Sequence, residues 1–231
     1  MNSTIIRILN SIHSNAYRVV SHKRGKELKT GLPNVNFKRM AKGNSKLDKV
    51  LIFDTLSGKN GTCSQDCQGC YAKKAEVQYF NTELYRTVNT FLAQYHMSVL
   101  NVLLRKQLET TKNIRTVRIH SSGDFFSQEY LNMWTSIVKD FPEYQFYAYT
   151  KESDKLDFSE IEALSNFNKL DSFASLDGKK VLNYGDKNHV AKLIEAGYFL
   201  CPATVKENKE MKCNRECKYC ITHNKVCFNE H

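Results

Sequence analysis

The feature that most constrains this chain is an alternation of strand-like and helix-like runs between residues 47 and 202. "KVLIFDTL" (49–56) is a compact apolar run of the kind a strand buried on both faces requires. Residues 71–110 carry helical character, with a break expected at "YFNT" (79–82), where Thr82 can cap the next segment. "RTVRIH" (115–120) alternates as a strand, and "SSGDFFS" (121–127) is a tight loop. "QEYLNMWTSIVKDF" (128–141) repeats apolar residues at Leu131, Trp134, Ile137 and Val138, and Pro142 ends that helix. A strand follows at 144–150, a short helix at 157–167 opened by Ser159, and a strand at 170–176. A loop at 177–186, a helix at 187–197 and a strand at 198–202 complete the series. Strands separated by helices imply a parallel sheet with right-handed crossovers, open or curled into a barrel. The stretch 82–110 is longer than a crossover needs, and marks a helical insertion.

The flanks differ in character. Residues 4–20 have the spacing of a helix (Ile5, Ile8, Leu9, Ile12), and 21–46 are polar, basic and glycine-bearing. Residues 1–49 hold eleven Lys/Arg against Glu27 and Asp48, nearly the whole formal excess of +10. A cationic segment points to an anionic partner, nucleic acid first, with a solvated arm that aids solubility as the plain alternative. No apolar run approaches the ~20 residues of a membrane span, and the first residues lack the pattern of a signal peptide. The expectation is a cytoplasmic protein with three regions: a basic extension (1–46), an α/β body (47–202) and a cysteine-rich extension (203–231).

Eight cysteines in such a chain argue for metal rather than structural disulfides. "CSQDCQGC" places Cys63, Cys67 and Cys70 at a three-then-two spacing, and "CNRECKYC" repeats it at Cys213, Cys217 and Cys220. The first loop follows a strand directly, where ligands sit in parallel α/β folds. Three thiolates leave one corner of a four-ligand centre open to substrate or cofactor, unless a distant His or Cys completes a zinc site. The second loop has Cys201 before it and Cys227 after it, enough thiols for a closed site holding iron–sulfur or zinc. At the next strand end, Ser122-Gly123-Asp124 forms a small-residue turn with an acid, and "SLDG" sets Ser175 and Asp177 at a later one. His120 can orient a substrate or move a proton there, or be a core histidine satisfied by backbone.

Cys63-x3-Cys67-x2-Cys70 after the first strand resembles the cluster motif of the radical S-adenosylmethionine (SAM) superfamily. "SSGDF" is similar to that superfamily's "GGE" turn, which holds the methionine amino group of SAM. The combination "GNSKLDK…IFDTL…C…CYAKKA…HSSGDF…CPAT…C…C" resembles more closely a phage and plasmid family known as gene product 88, itself radical-SAM-like, over residues 43–227. The resemblance implies a partial (βα) barrel with a long helical insertion and a Cys-rich C-terminal extension. It implies an open [4Fe-4S] cluster on Cys63, Cys67 and Cys70, and SAM bound near Tyr71, Ser122, Gly123, Asp124, Ser175 and Asp177. His120 and Asp124 become the catalytic candidates. An auxiliary cluster, or zinc, would sit among Cys201, Cys213, Cys217, Cys220 and Cys227. The superfamily's aromatic before the third cysteine is replaced here by Gly69, and Tyr71 follows the cysteine instead. The activity implied is reductive cleavage of SAM, fed by a reductase or other electron donor, to start radical chemistry on an anionic substrate such as a nucleotide or nucleic acid. The rival reading is a non-enzymatic nucleic-acid-binding protein with two structural zinc or iron–sulfur sites.

Overall fold

The computed structural model describes residue 11 and residues 38–43, 46–67, 70–176, 179–182, 184–205, 211, 213 and 217–229, with only the backbone path given over 173–184. The expected helix at 4–20 and nearly all of the basic segment lie outside the described residues, as do Gly69, Asp177 and His231. Contacts divide the chain into two compact units. The first draws on Met1–Met40, Phe53–Thr111 and Ser121–Met133, the second on Ala41–Ile52, Lys112–His120 and Trp134–His231.

The first unit is built on helices α1 (Tyr71–Gln78), α2 (Phe80–Tyr95) and α3 (Met97–Thr110). The break expected at 79–82 falls at Tyr79, whose extended backbone separates α1 from α2. A second break at His96, not evident from periodicity, separates α2 from α3. Leu84, Val88 and Leu92 on α2, and Leu100, Leu103, Leu104 and Leu108 on α3, are buried at three-to-four-residue spacing. Gln107 is buried too: its carbonyl oxygen accepts from the backbone N–H groups of Arg39 and Met40, and its amide donates to the Met40 carbonyl. That side chain substitutes for a strand partner, so the incoming chain keeps its polar groups paired.

The second unit carries a five-stranded sheet in the order β1 (Ala41–Lys42), β2 (Val50–Phe53), β3 (Thr116–Ile119), β4 (Gln145–Thr150), β5 (Phe167–Asp171). β1 and β2 are antiparallel; β3–β4 and β4–β5 are parallel. Every residue of β2 is buried, as its unbroken apolar run requires. The order follows the chain without reversal, unlike a doubly wound sheet, whose order turns back at a switch point. Helix α4 (Gln128–Asp140) joins β3 to β4, and its expected face is buried at Leu131, Trp134, Ile137 and Val138.

Three elements depart from expectation. The helix expected at 157–167 is a single turn, α5 (Ser159–Glu162), and the strand starts early, at Phe167. The cause is Asn166, whose amide lies within hydrogen-bond reach of the carbonyls of Val138, Phe141 and Tyr144 and ends the helical path. The run expected as one strand over 170–176 is split at Ser172. Its second part, β6 (Phe173–Leu176), leaves the parallel sheet to pair antiparallel with β7 (Lys179–Leu182), in a stretch expected to be a loop. Two residues between strands allow a hairpin and nothing else, since a parallel return needs a crossover of a dozen or more. Finally, the aperiodic tail is not without structure. It forms a turn of helix, α7 (Tyr219–Thr222), and β10 (Val226–Asn229). β10 lies parallel between β8 (Tyr184–Gly185) and β9 (Phe199–Leu200), the strands that flank helix α6 (Lys187–Glu195). Among the described residues, no helix is long and apolar enough to cross a membrane.

If Asn166 is the clasp that fixes the start of β5, Asn166→Ala leaves those carbonyls short of a half-buried donor. The expected loss is about 1–3 kcal/mol of stability, read as a lower urea midpoint with unchanged slope.

Candidate functional site

In the first unit, the site begins where the chain leaves β2. Oδ1 of Asp54 accepts from the backbone N–H of Ser121 (2.6 Å) and Ser122 (2.9 Å) and from Ser121 Oγ (2.8 Å). Its Oδ2 pairs with Arg86 Nη2 at 3.1 Å. Arg86 Nη1 reaches Glu76 Oε1 at 3.0 Å and the Ala72 carbonyl at 3.1 Å. Glu76, on α1, accepts from Ser57 N, Ser57 Oγ and Ser122 Oγ. Arg86 and Glu76 are both buried. Arginine suits this place because its planar fork can serve two carboxylates at once.

The network fastens the Ser121–Asp124 turn to the segment after β2. Thr55 and Thr62 add to it: their hydroxyls meet at 2.7 Å, Thr55 N donates to the Ser122 carbonyl, and Asp124 N donates to Thr62 Oγ1. Gly123 sits at φ +83°, and a Cβ there would stand 1.8 Å from Thr55 Oγ1 and 2.5 Å from Thr62 Oγ1. Only glycine fits on both counts.

The thiol loop runs beside this turn. Burial pushes the Cys63 thiol up to about 11; a backbone hydrogen bond from Gly58 opposes that, while the nearby charges of Asp124, Cys67 and Cys70 reinforce it. Cys70 stands at the N-terminus of α1, its carbonyl accepting from Lys74 N. Tyr71, exposed at the first position of α1, donates its hydroxyl to the Ser121 carbonyl. So Cys63, Cys67, Cys70, Tyr71, Ser122, Gly123 and Asp124 belong to one unit. His120 belongs to the second unit, buried at the end of β3, with its carbonyl accepting from Arg118 Nε at 3.1 Å. Ser175 is described only as backbone on β6, and Asp177 lies outside the described residues. Sequence reasoning missed Asp54, Glu76 and Arg86; the acid directly after the first strand, in "IFDTL", was the available signal.

The second thiol group lies wholly in the second unit. Cys201, Cys213 and Cys220 pack against one apolar cluster with Leu47, Tyr147, Ile221 and Val226. Cys213 is pinned to the chain before β2: its N–H donates to the Lys46 carbonyl, and its carbonyl accepts from Asp48 N. The backbone of Cys213 makes isolated β-bridges to Leu47 and to Cys217. Burial raises the Cys201 thiol to about 12, with the charges of Cys220, Cys213 and Cys217 adding to it. Tyr149 donates a hydrogen bond to Cys220, and Arg118 lies over the Tyr149 ring at 5.1 Å. Cys227 is elsewhere, packed with Val190 and Leu193. Among the described residues, no three His, Cys, Asp or Glu side chains stand close enough together to hold a metal ion as placed. Of the spare histidines, His223 stacks on Tyr219 at 4.2 Å, and Tyr219 stacks in turn on Phe199.

Fold and site thus define an α/β protein with a parallel-rich sheet and two separate thiol groups. Residues 23–228 match the family described as gene product 88, and the chain belongs to that family. It is similar to the gene 88 protein of Mycobacterium phage D29, 31% identical over 105 residues, which is 42% of this chain and 44% of that protein. The gene 88 protein of Mycobacterium phage L5 is 30% identical over 105 residues, with the same coverage. The chain therefore matches less than half the length of these curated relatives. No solved structure matches it.

The ion triad makes a sharp prediction. Arg86→Met leaves Asp54 and Glu76 without their shared cation, and should cost about 3–5 kcal/mol in urea unfolding. Lys106→Met, which breaks an exposed pair with Glu109, should cost about 1 kcal/mol or less.

Proposed function

We propose that this protein is an iron–sulfur enzyme of the radical SAM type, with Cys63, Cys67 and Cys70 as ligands of an open [4Fe-4S] cluster. The observation that carries the reading is the fastening of the Ser122-Gly123-Asp124 turn beside the thiol loop by Asp54, Glu76 and Arg86. The donor type suits the group: three thiols in one loop, with the carboxylate of Asp124 near Cys63. A four-iron cluster held by three protein thiolates keeps one iron available to SAM. When bound, cluster and SAM together supply a carbon radical by one-electron reductive cleavage of SAM, with the electron coming from a separate donor.

The chain's own residues have positional roles. Gly123 lets the turn pack closely against Thr55 and Thr62, because a side chain there has no room. Asp124, held by Thr62 and Phe125, offers a fixed carboxylate to an ammonium group. Tyr71, exposed and tied to the turn through its bond to Ser121, offers an aromatic face to a flat ring. The formal charge of +10 supports an anionic substrate, a nucleotide or nucleic acid. The sequential strand order supports a sheet of the partial-barrel kind.

The test is anaerobic reconstitution followed by reduction with and without SAM. The wild type should show a cluster spectrum that SAM perturbs, and should release methionine and 5′-deoxyadenosine. Replacing Cys63, Cys67 and Cys70 together by Ala should remove about four irons per chain and abolish both products. Asp124→Ala should keep the iron and weaken the SAM response at least about tenfold, the loss of one charge-assisted hydrogen bond. A colourless protein with zinc in both thiol groups would sink the proposal and favour the non-enzymatic alternative.

A further inference from the structure

In the second unit, three aromatic rings stack in a row. Tyr219 lies in the middle. Its ring centroid is 4.2 Å from that of Phe199, with 18° between the planes, and 4.2 Å from that of His223, with 14°. Ring pairs that serve the core of this unit are tilted instead, at 77° for Tyr147–Tyr149 and 45° for Tyr144–Phe146. The row also lies at the surface: Phe199 is 40% exposed, and His223 is exposed. Such a pile of near-parallel rings leaves apolar faces in water, which marks an interaction surface rather than core packing.

The row is held in place before any ligand arrives. Asn168, on β5, donates its amide to the carbonyls of Cys220 (3.0 Å) and His223 (2.9 Å), at the C-terminal end of α7. Phe199 N donates to the Lys225 carbonyl, which ties β9 to the chain after His223. Thr222 Oγ1 stands 2.8 Å from His223 Nδ1 and sets the orientation of that ring. Fixed rings lose little freedom on binding.

The three rings line an open pocket of about 430 Å³ with Pro202, Met211 and Lys218. Among the described residues, its lining has one cation and no Asp or Glu. By sequence, "KEMKCNRECK" (209–218), which contains Met211 and Lys218, has four cations against two acids, in a chain of formal charge +10. Flat apolar faces amid positive charge suit an unpaired base on an anionic strand. A duplex hides its base faces within its own stack. A free nucleotide needs its phosphates gripped, and the described lining has Lys218 alone for that.

We propose that Phe199, Tyr219 and His223 form a stacking platform for single-stranded nucleic acid, with Lys218 serving its backbone. A bound base extends the row by one ring. The anionic substrate of the proposed function thereby gains a class, yet the platform needs neither cluster nor SAM, so its test stands or falls apart from SAM cleavage.

The experiment is fluorescence anisotropy on the full chain under a reducing agent. The probe is a labelled single strand of about 12 nucleotides, a length within the usual site size, against the matching duplex in the same salt. The single strand should bind more tightly. Phe199→Leu, which removes the ring and keeps apolar bulk, and His223→Ala should each weaken that binding about 5–100-fold. Phe199→Tyr should recover most of the loss. Lys218→Ala should flatten the slope of log affinity against log salt by about 0.7, the share of one phosphate. With 2-aminopurine in the strand, wild-type protein should quench its fluorescence by stacking, and Phe199→Leu should quench it less. If Phe199→Leu disturbs β9, the exposed His223 still reports on the platform. Equal binding of the duplex, or equal competition by a mononucleotide at the same molar concentration, would overturn the proposal. So would unchanged affinity in both ring variants, which would assign the binding to the basic segment before residue 47.

Discussion

The first unit depends on one buried cation. Arg86 lies between Asp54 and Glu76, and each carboxylate in turn holds a different piece of chain. Asp54 fixes the turn at 121–122, and Glu76 fixes Ser57 and Ser122. Taking three charges out of water is costly, and their mutual attraction offsets that only when the remaining hydrogen-bonding capacity is also used. Here it is used by backbone N–H groups and serine hydroxyls. The consequence is geometric rather than energetic. Three segments far apart in sequence are locked in register to one another, which is what a site made from several loops needs.

The two thiol triplets share a spacing and differ in their electrostatic surroundings. Beside the first lies Asp124, whose negative charge disfavours ionised sulfur at Cys63. Beside the second, burial raises the thiols of Cys213 and Cys220, and Arg118 opposes that rise at both, with Lys46 at Cys213. The first group stands next to a glycine turn with no room for side chains, under an exposed tyrosine. The second is packed among Tyr147, Ile221 and Val226. The same spacing is thus set beside a hydrogen-bonded polar turn in one case, and against an apolar cluster in the other.

Much of this was legible in advance, and the failures have identifiable causes. The apolar run of β2 and the periodic face of α4 predicted themselves, because burial on known periods leaves a direct trace. The short helix at 159–162 and the hairpin at 173–182 did not. Asn166 ends that helix through carbonyls on other elements, and the hairpin follows from strand pairing rather than from local composition. The tail looked shapeless because β10 is four residues long and acquires its partners, β8 and β9, from earlier in the chain.

By itself the sequence determined how the cysteines are spaced, where the glycine turn falls, and that helices alternate with strands. Those properties reside in residue type and spacing. The separation of Cys227 from the other cysteines of that half was made by tertiary structure: the pleat of β10 turns it toward Val190 and Leu193, away from the side its neighbours share with Cys220. So was the placing of Arg118 beside one triplet and Asp124 beside the other. Charge acts through space, and no spacing along the chain records which side chains the fold will bring within its reach.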